Sequence, residues 1–163
     1  MTVISRDNDT MLDKYLTFSS SGDEYGLKIG NVKDIIPLPS QAITPVPGTM
    51  GYTKGIINLR GTIIPTIDIR LRFNREEGNY NERTCIIVVE VDDMLVGMIV
   101  DEVREVRTIP EEILARPPHL GSAGENHYVS EIATVDDEGK KVVFLLDIKK
   151  LFCEGISMLE HAD

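Results

Sequence analysis

At 163 residues, 42% hydrophobic and 27% charged, the chain has the length of one compact domain or two small ones and is too apolar to be disordered. Its net charge of −10 disfavours a nucleic-acid partner, which needs a basic surface, and no apolar run approaches the ~20 residues of a membrane span. The start, "MTVISRDNDTMLDKY", lacks the apolar core of a signal peptide, so a cytoplasmic protein is expected.

Residues 1–13 are expected to be flexible. "DNDTMLD" (7–13) opens like a calcium loop, but Met11 and Leu12 stand where a ligand and the turn glycine belong, which excludes an EF-hand. "KYLTF" and "YGLKI" read as strands around the turn "SSSGDE". "IINLRGTIIPTI" (56–67) reads as a hairpin, with Gly61 supplying backbone freedom and the turn type left open, because Arg-Gly is a weaker signal than Asn-Gly. A buried lone guanidinium would cost several kcal/mol, so a tip that points Arg60 outward while the isoleucines pair inside is the favoured arrangement. "DIRLRF" then reads as a short helix, and the polar "NREEGNYNER" as a connection.

Beyond the connection the series recurs: strands "CIIVVEV" and "LVGMIV" around "DDM", a loop "ARPPHLGSAGENH", a hairpin "IATVDDEGKKVVFLL" with a longer tip at Asp136–Gly139, and a helical "DIKKLFCEGISML". Residues 15–39 align with 86–110 without a gap: Gly26 falls on Gly97, Val32 on Val103, Asp34 on Glu105 and Ile35 on Val106, an offset of 71. "YTKGI" matches "YVSEI" at an offset of 76 and "TIDIRLRF" matches "LLDIKKLF" at 79, the growth falling in two loops. Two copies of one mainly β unit follow, about 14–75 and 84–153. Each is expected to close as a small barrel and, with so little core of its own, to lean on the other.

Chemistry is sparse. Cys85 and Cys153 lack C-x-x-C spacing and read as packed thiols; His119, His127 and His161 have no ligand spacing, and no phosphate-binding or nucleophile motif occurs. No catalytic residue, cofactor or metal is expected. Asp68 and Asp147 fall at equivalent positions, as in a two-lobed hydrolase with a carboxylate dyad, but each opens a helical stretch and reads more simply as an N-cap.

"KGIINLRGTIIPTIDIRLRF", "YGLKIGNVKDII" followed by "ITPVPG", and "VGMIVDEVREV" together resemble the chemotaxis coupling proteins of the CheW family, over about Tyr15 to Phe152. Asp34 stands where that family often has glutamate. The resemblance implies a CheW-like domain over 14–163 made of two tandem SH3-like five-stranded β-barrels, with short helices and a C-terminal helix. It implies a non-catalytic adaptor joining the cytoplasmic tip of methyl-accepting chemoreceptors to the regulatory domain of the histidine kinase CheA. Its receptor-binding residues would be Val32, Asp34, Ile35, Asn58, Arg60, Gly61, Cys85, Ile86, Val103 and Val106, with kinase contacts at apolar barrel ends. The adaptor half of a CheV-type protein, or a detached kinase regulatory domain, is the alternative within that resemblance. The absence of a response-regulator or kinase segment favours the free-standing form.

Overall fold

The computed structural model describes residues 13–48, 51–76, 78–117, 128–136 and 138–152. The expected flexible start (1–12), Cys153, the three histidines and the expected C-terminal helix past Phe152 lie outside them. The strands are β1 Lys14–Ser20, β2 Asp23–Lys28, β3 Val32–Pro37, β4 Thr53–Leu59, β5 Thr62–Asp68, β6 Cys85–Val91, β7 Met94–Val100, β8 Glu102–Thr108, β9 Leu114–Ala115, β10 Val129–Thr134 and β11 Val142–Leu146. They form two sheets, ordered β8-β1-β2-β11-β10-β9 and β3-β6-β7-β5-β4, which are two SH3-like barrels.

The sheets cut across the two sequence copies. β3–β7 (32–100) make one barrel from continuous chain, and β1, β2 and β8–β11 make the other from the segments on either side. The expected barrel boundaries of 14–75 and 84–153 are therefore corrected: the spatial units are a nested barrel (32–100) and an outer barrel that encloses it in sequence. The reason lies in the parallel pairings. β2 pairs with β11, not with β5, and β7 pairs with β5, so each first hairpin completes the barrel of the other copy.

Local sequence makes the hairpins. Three are closed by two residues both at positive φ: Ser21–Gly22 (52°, 88°), Arg60–Gly61 (51°, 88°) and Asp92–Asp93 (49°, 67°). This is the type I′ turn, whose twist matches that of the strands it joins. Alternation then sorts the side chains. On β6, Ile86 and Val88 fill the nested barrel beside Ile36, Ile57, Ile64 and Ile99, whereas Ile87, Val89 and Val91 face the other sheet. Among the described residues the outer barrel's interior is smaller, built on Tyr15, Ile109, Ala133, Val143 and Leu145.

The largest cluster lies between the sheets. Leu16, Phe18, Tyr25, Leu27 and Leu146 of the outer barrel meet Ile67, Ile87, Val89, Met98 and Val100 of the nested one, with Ile69, Phe73, Leu151 and Phe152 closing it. Most of the buried apolar surface is thus shared, and neither barrel could keep it from water alone. Arg72 spans the same seam: its guanidinium lies 4.6 Å from the ring centre of Tyr52 and 4.2 Å from that of Tyr128, and its Nε donates to the Leu151 carbonyl at 2.8 Å.

Candidate functional site

The β4–β5 register, Leu59 opposite Thr62, leaves Arg60 and Gly61 as the whole loop. Asn58 steadies it, its Oδ1 accepting the Gly61 N–H at 2.9 Å. Arg60 sits at φ 51°, a conformation that costs a residue with a Cβ roughly 1–2 kcal/mol, and holds its side chain 80% exposed. Its Nη2 reaches Asp34 Oδ2 at 3.5 Å, while Asp34 Oδ1 accepts the Ile35 amide at 2.8 Å. The hairpin tip is thereby tied to the edge strand β3. So exposed a pair adds little stability.

Apolar surface surrounds this charge. Ile35 is 39% exposed and Ile63, on the strand leaving the tip, 55%. The expectation that the isoleucines all turn inward fails at Ile63. Ile64 fills the barrel, so strand alternation sends Ile63 out. That alternation was readable in the sequence.

The remaining expected site residues divide between the barrels. Val32, Cys85 and Val103 are half-buried against the inter-sheet core, and Val106, on the outer barrel's edge strand β8, is exposed. Cys85 Sγ donates to the Arg83 carbonyl at 3.4 Å. Burial pushes its thiol above the ordinary cysteine pKa, against a hydrogen bond from the Val103 backbone, which links β6 of the nested barrel to β8 of the outer one. Ile86 is corrected: it is fully buried inside the nested barrel and cannot meet a partner. Cys85 and Ile86 are adjacent in a strand and face opposite sides.

The carboxylates of the hydrolase alternative are engaged as helix caps. Asp68 is buried; its Oδ1 accepts the Arg70 amide at 2.8 Å and its Oδ2 the Tyr80 hydroxyl. Asp147 Oδ1 accepts the Lys150 amide at 3.1 Å. The backbone repeats as well, the Asp68 amide donating to the Tyr52 carbonyl and the Asp147 amide to that of Tyr128. Each caps the helix after its hairpin, one at Ile69–Arg72 and one over residues 148–152. Among the described residues no three His, Cys, Asp or Glu side chains come together as a metal site, and no helix is long and apolar enough to cross a membrane.

Residues 14–154 match the CheW-like domain family. The chain is 30% identical to the chemotaxis protein CheW of Klebsiella aerogenes over 150 residues, 92% of this chain and 87% of that protein. It is 39% identical to CheW of Bacillus subtilis over 106 residues, 65% and 67% of the two chains. The crystal structure of the scaffolding protein TtCheW from Thermoanaerobacter tengcongensis superposes with a TM-score of 0.76 at 35% identity, covering 86% of this chain and 92% of that one.

Proposed function

This chain belongs to the CheW-like domain family, whose members are chemotaxis scaffolds, and from that premise we propose that it couples the cytoplasmic tip of methyl-accepting chemoreceptors to the regulatory domain of the histidine kinase CheA. It works without catalysis, in the cytoplasm, recruited to receptor arrays at the membrane. The receptor tip is a helical hairpin. A helix docks in a groove through apolar anchors and a few fixed charges.

Val32, Ile35, Val103 and Val106 supply apolar contact, Cys85 floors the space between the barrels, and Asp34, Asn58 and Gly61 hold the Arg60 tip. The observation that carries this reading is Arg60 itself. A two-residue I′ turn favours asparagine or glycine, yet this one keeps an arginine at positive φ and projects it beside exposed Ile35 and Ile63. The guanidinium is a planar fork for a carboxylate or for helix C-terminal carbonyls. The kinase is taken by apolar barrel ends, away from the tip.

Arg60→Ala tests the reading. Stability should change by no more than about 0.5 kcal/mol, as at a surface site. Affinity for a soluble receptor-tip fragment should fall by about 2 kcal/mol, as for a desolvated anchor, with kinase binding unchanged. A large drop in melting temperature with unaltered receptor affinity would make Arg60 a structural residue and end this assignment.

A further inference from the structure

The chain enters the nested barrel through a turn at Ile29–Asn31 and leaves it through one residue, Asp101, between β7 and β8. Asp101 is held from both barrels. Its carboxylate accepts Arg70 Nε at 2.8 Å and Nη2 at 2.6 Å, from the helical turn that follows β5 of the nested barrel. It also accepts the Ser21 amide at 2.9 Å, from the β1–β2 turn of the outer barrel, and its own amide donates to the Ser19 carbonyl at 3.1 Å. Gly78 lies against the guanidinium, where any Cβ would collide with Nη1, so the connecting segment packs on the pair.

The repeat supplies an internal control. At its offsets Asp101 corresponds to Gly30 (101 − 71), Arg70 to Lys149 (70 + 79) and Ser21 to Asp92 (21 + 71). On that side no carboxylate stands on the crossover. Lys149 Nζ meets Asp92 Oδ1 at 3.5 Å, with the two side chains 73% and 68% exposed, against 24% and 31% for Arg70 and Asp101. A cleft of about 350 Å³ opens there, with Lys28 and Glu131 of the outer barrel facing Glu90 of the nested one. A half-buried bidentate pair resists water and salt far better than a solvated lysine pair.

We propose that Arg70 and Asp101 are positioning residues: they set the angle between the nested and outer barrels, and with it the shape of the receptor groove. The assignment rests on the receptor-coupling reading above. Cys85 pairs with Val100, one residue before Asp101, and Val103 follows two residues after it, so the groove walls diverge from this clamp. The Lys149–Asp92 side sets nothing.

The test places spin labels, carried on ketone side chains to leave the cysteines untouched, at exposed Ala42 of the nested barrel and Glu112 of the outer one, in the full chain. Asp101→Asn should broaden the inter-label distance distribution at least twofold. It should weaken receptor-fragment binding about tenfold and alter kinase binding by less than twofold. Lys149→Ala should change none of these, and Arg70→Asp combined with Asp101→Arg should narrow the distribution again. If Asp101→Asn fails to fold, Arg70→Lys, which keeps the charge and gives up the fork, is read in its place. An unchanged distribution in the Asp101 or Arg70 variant, or equal broadening by Lys149→Ala, overturns the clamp. A wild-type chain that ignores the receptor fragment overturns the groove instead, and the distance measurements still decide the clamp.

Discussion

Strand for strand, β3–β6–β7–β5–β4 of the nested barrel answers to β8–β1–β2–β11–β10 of the outer one, and the irregularities coincide as well. The register slips between Thr53 and Gly55 on β4 and between Val129 and Glu131 on β10, which are the same positions at an offset of 76. Thr44 bridges Ile56 as Ala115 pairs with Ile132. At both parallel contacts a glycine admits the facing strand: a Cβ on Gly97 would lie 2.9 Å from Thr66 Oγ1, and one on Gly26 2.7 Å from Leu145 Cδ2. What both barrels keep is what the fold requires. What only one keeps, the Arg60–Gly61 tip or the Asp101 carboxylate, is free to serve a partner or to fix geometry.

The comparison breaks most readily at Gly55. It sits at φ 145°, and any Cβ there would collide with the Thr44 carbonyl, whereas Glu131 fills the same place in the outer barrel. Gly55→Ala should cost about 3 kcal/mol in denaturant unfolding, from overpacking against backbone and a disfavoured φ, and Glu131→Ala no more than about 0.5. Comparable losses would mean that the Thr44 backbone does not exclude a side chain at Gly55 and that the two bulges tolerate one alike.

The caps give a smaller contrast. Removing Asp147 should cost about 1 kcal/mol as a lost N-cap. Asp68 is buried and also receives Tyr80, so Asp68→Ala should cost about 2 kcal/mol. Equal losses would show that the Tyr80 contact contributes nothing to stability.

The smallest effect has the opposite sign. Arg60→Asn converts the tip to the preferred I′ pair and should raise stability by up to about 1 kcal/mol while weakening receptor binding. Receptor affinity retained in so stabilised a variant would show that the guanidinium is not the anchor.

The repeat was legible because both copies keep their glycines, aspartate caps and apolar spacing. Partner choice was not. An alignment shows that β5 and β11 correspond, but either could pair with β2, and only the packed sheets choose. At the site, the outward Arg60 could be read from the cost of burying it. Adjacent Cys85 and Ile86 could not both be assigned correctly by motif, because a strand presents them to opposite faces. Arg70 and Asp101 lie in the recognised segments "DIRLRF" and "VGMIVDEVREV", 31 positions apart, and no local pattern announces that they meet.

The nesting of one barrel inside the other also sets a timetable for synthesis. Strands β1 and β2 leave the ribosome first, yet their parallel partner β11 ends at Leu146. The nested barrel draws its strands only from residues 32–100 and can pair them while that hairpin waits with both edges open, since β8 and β11 come later, and with the shared core still uncovered. A nascent chain arrested once Val100 has cleared the ribosome should therefore protect β3–β7 from protease better than β1–β2, which stay open to chaperones or to the hairpins of neighbouring chains, the hazard of long-range strand pairing.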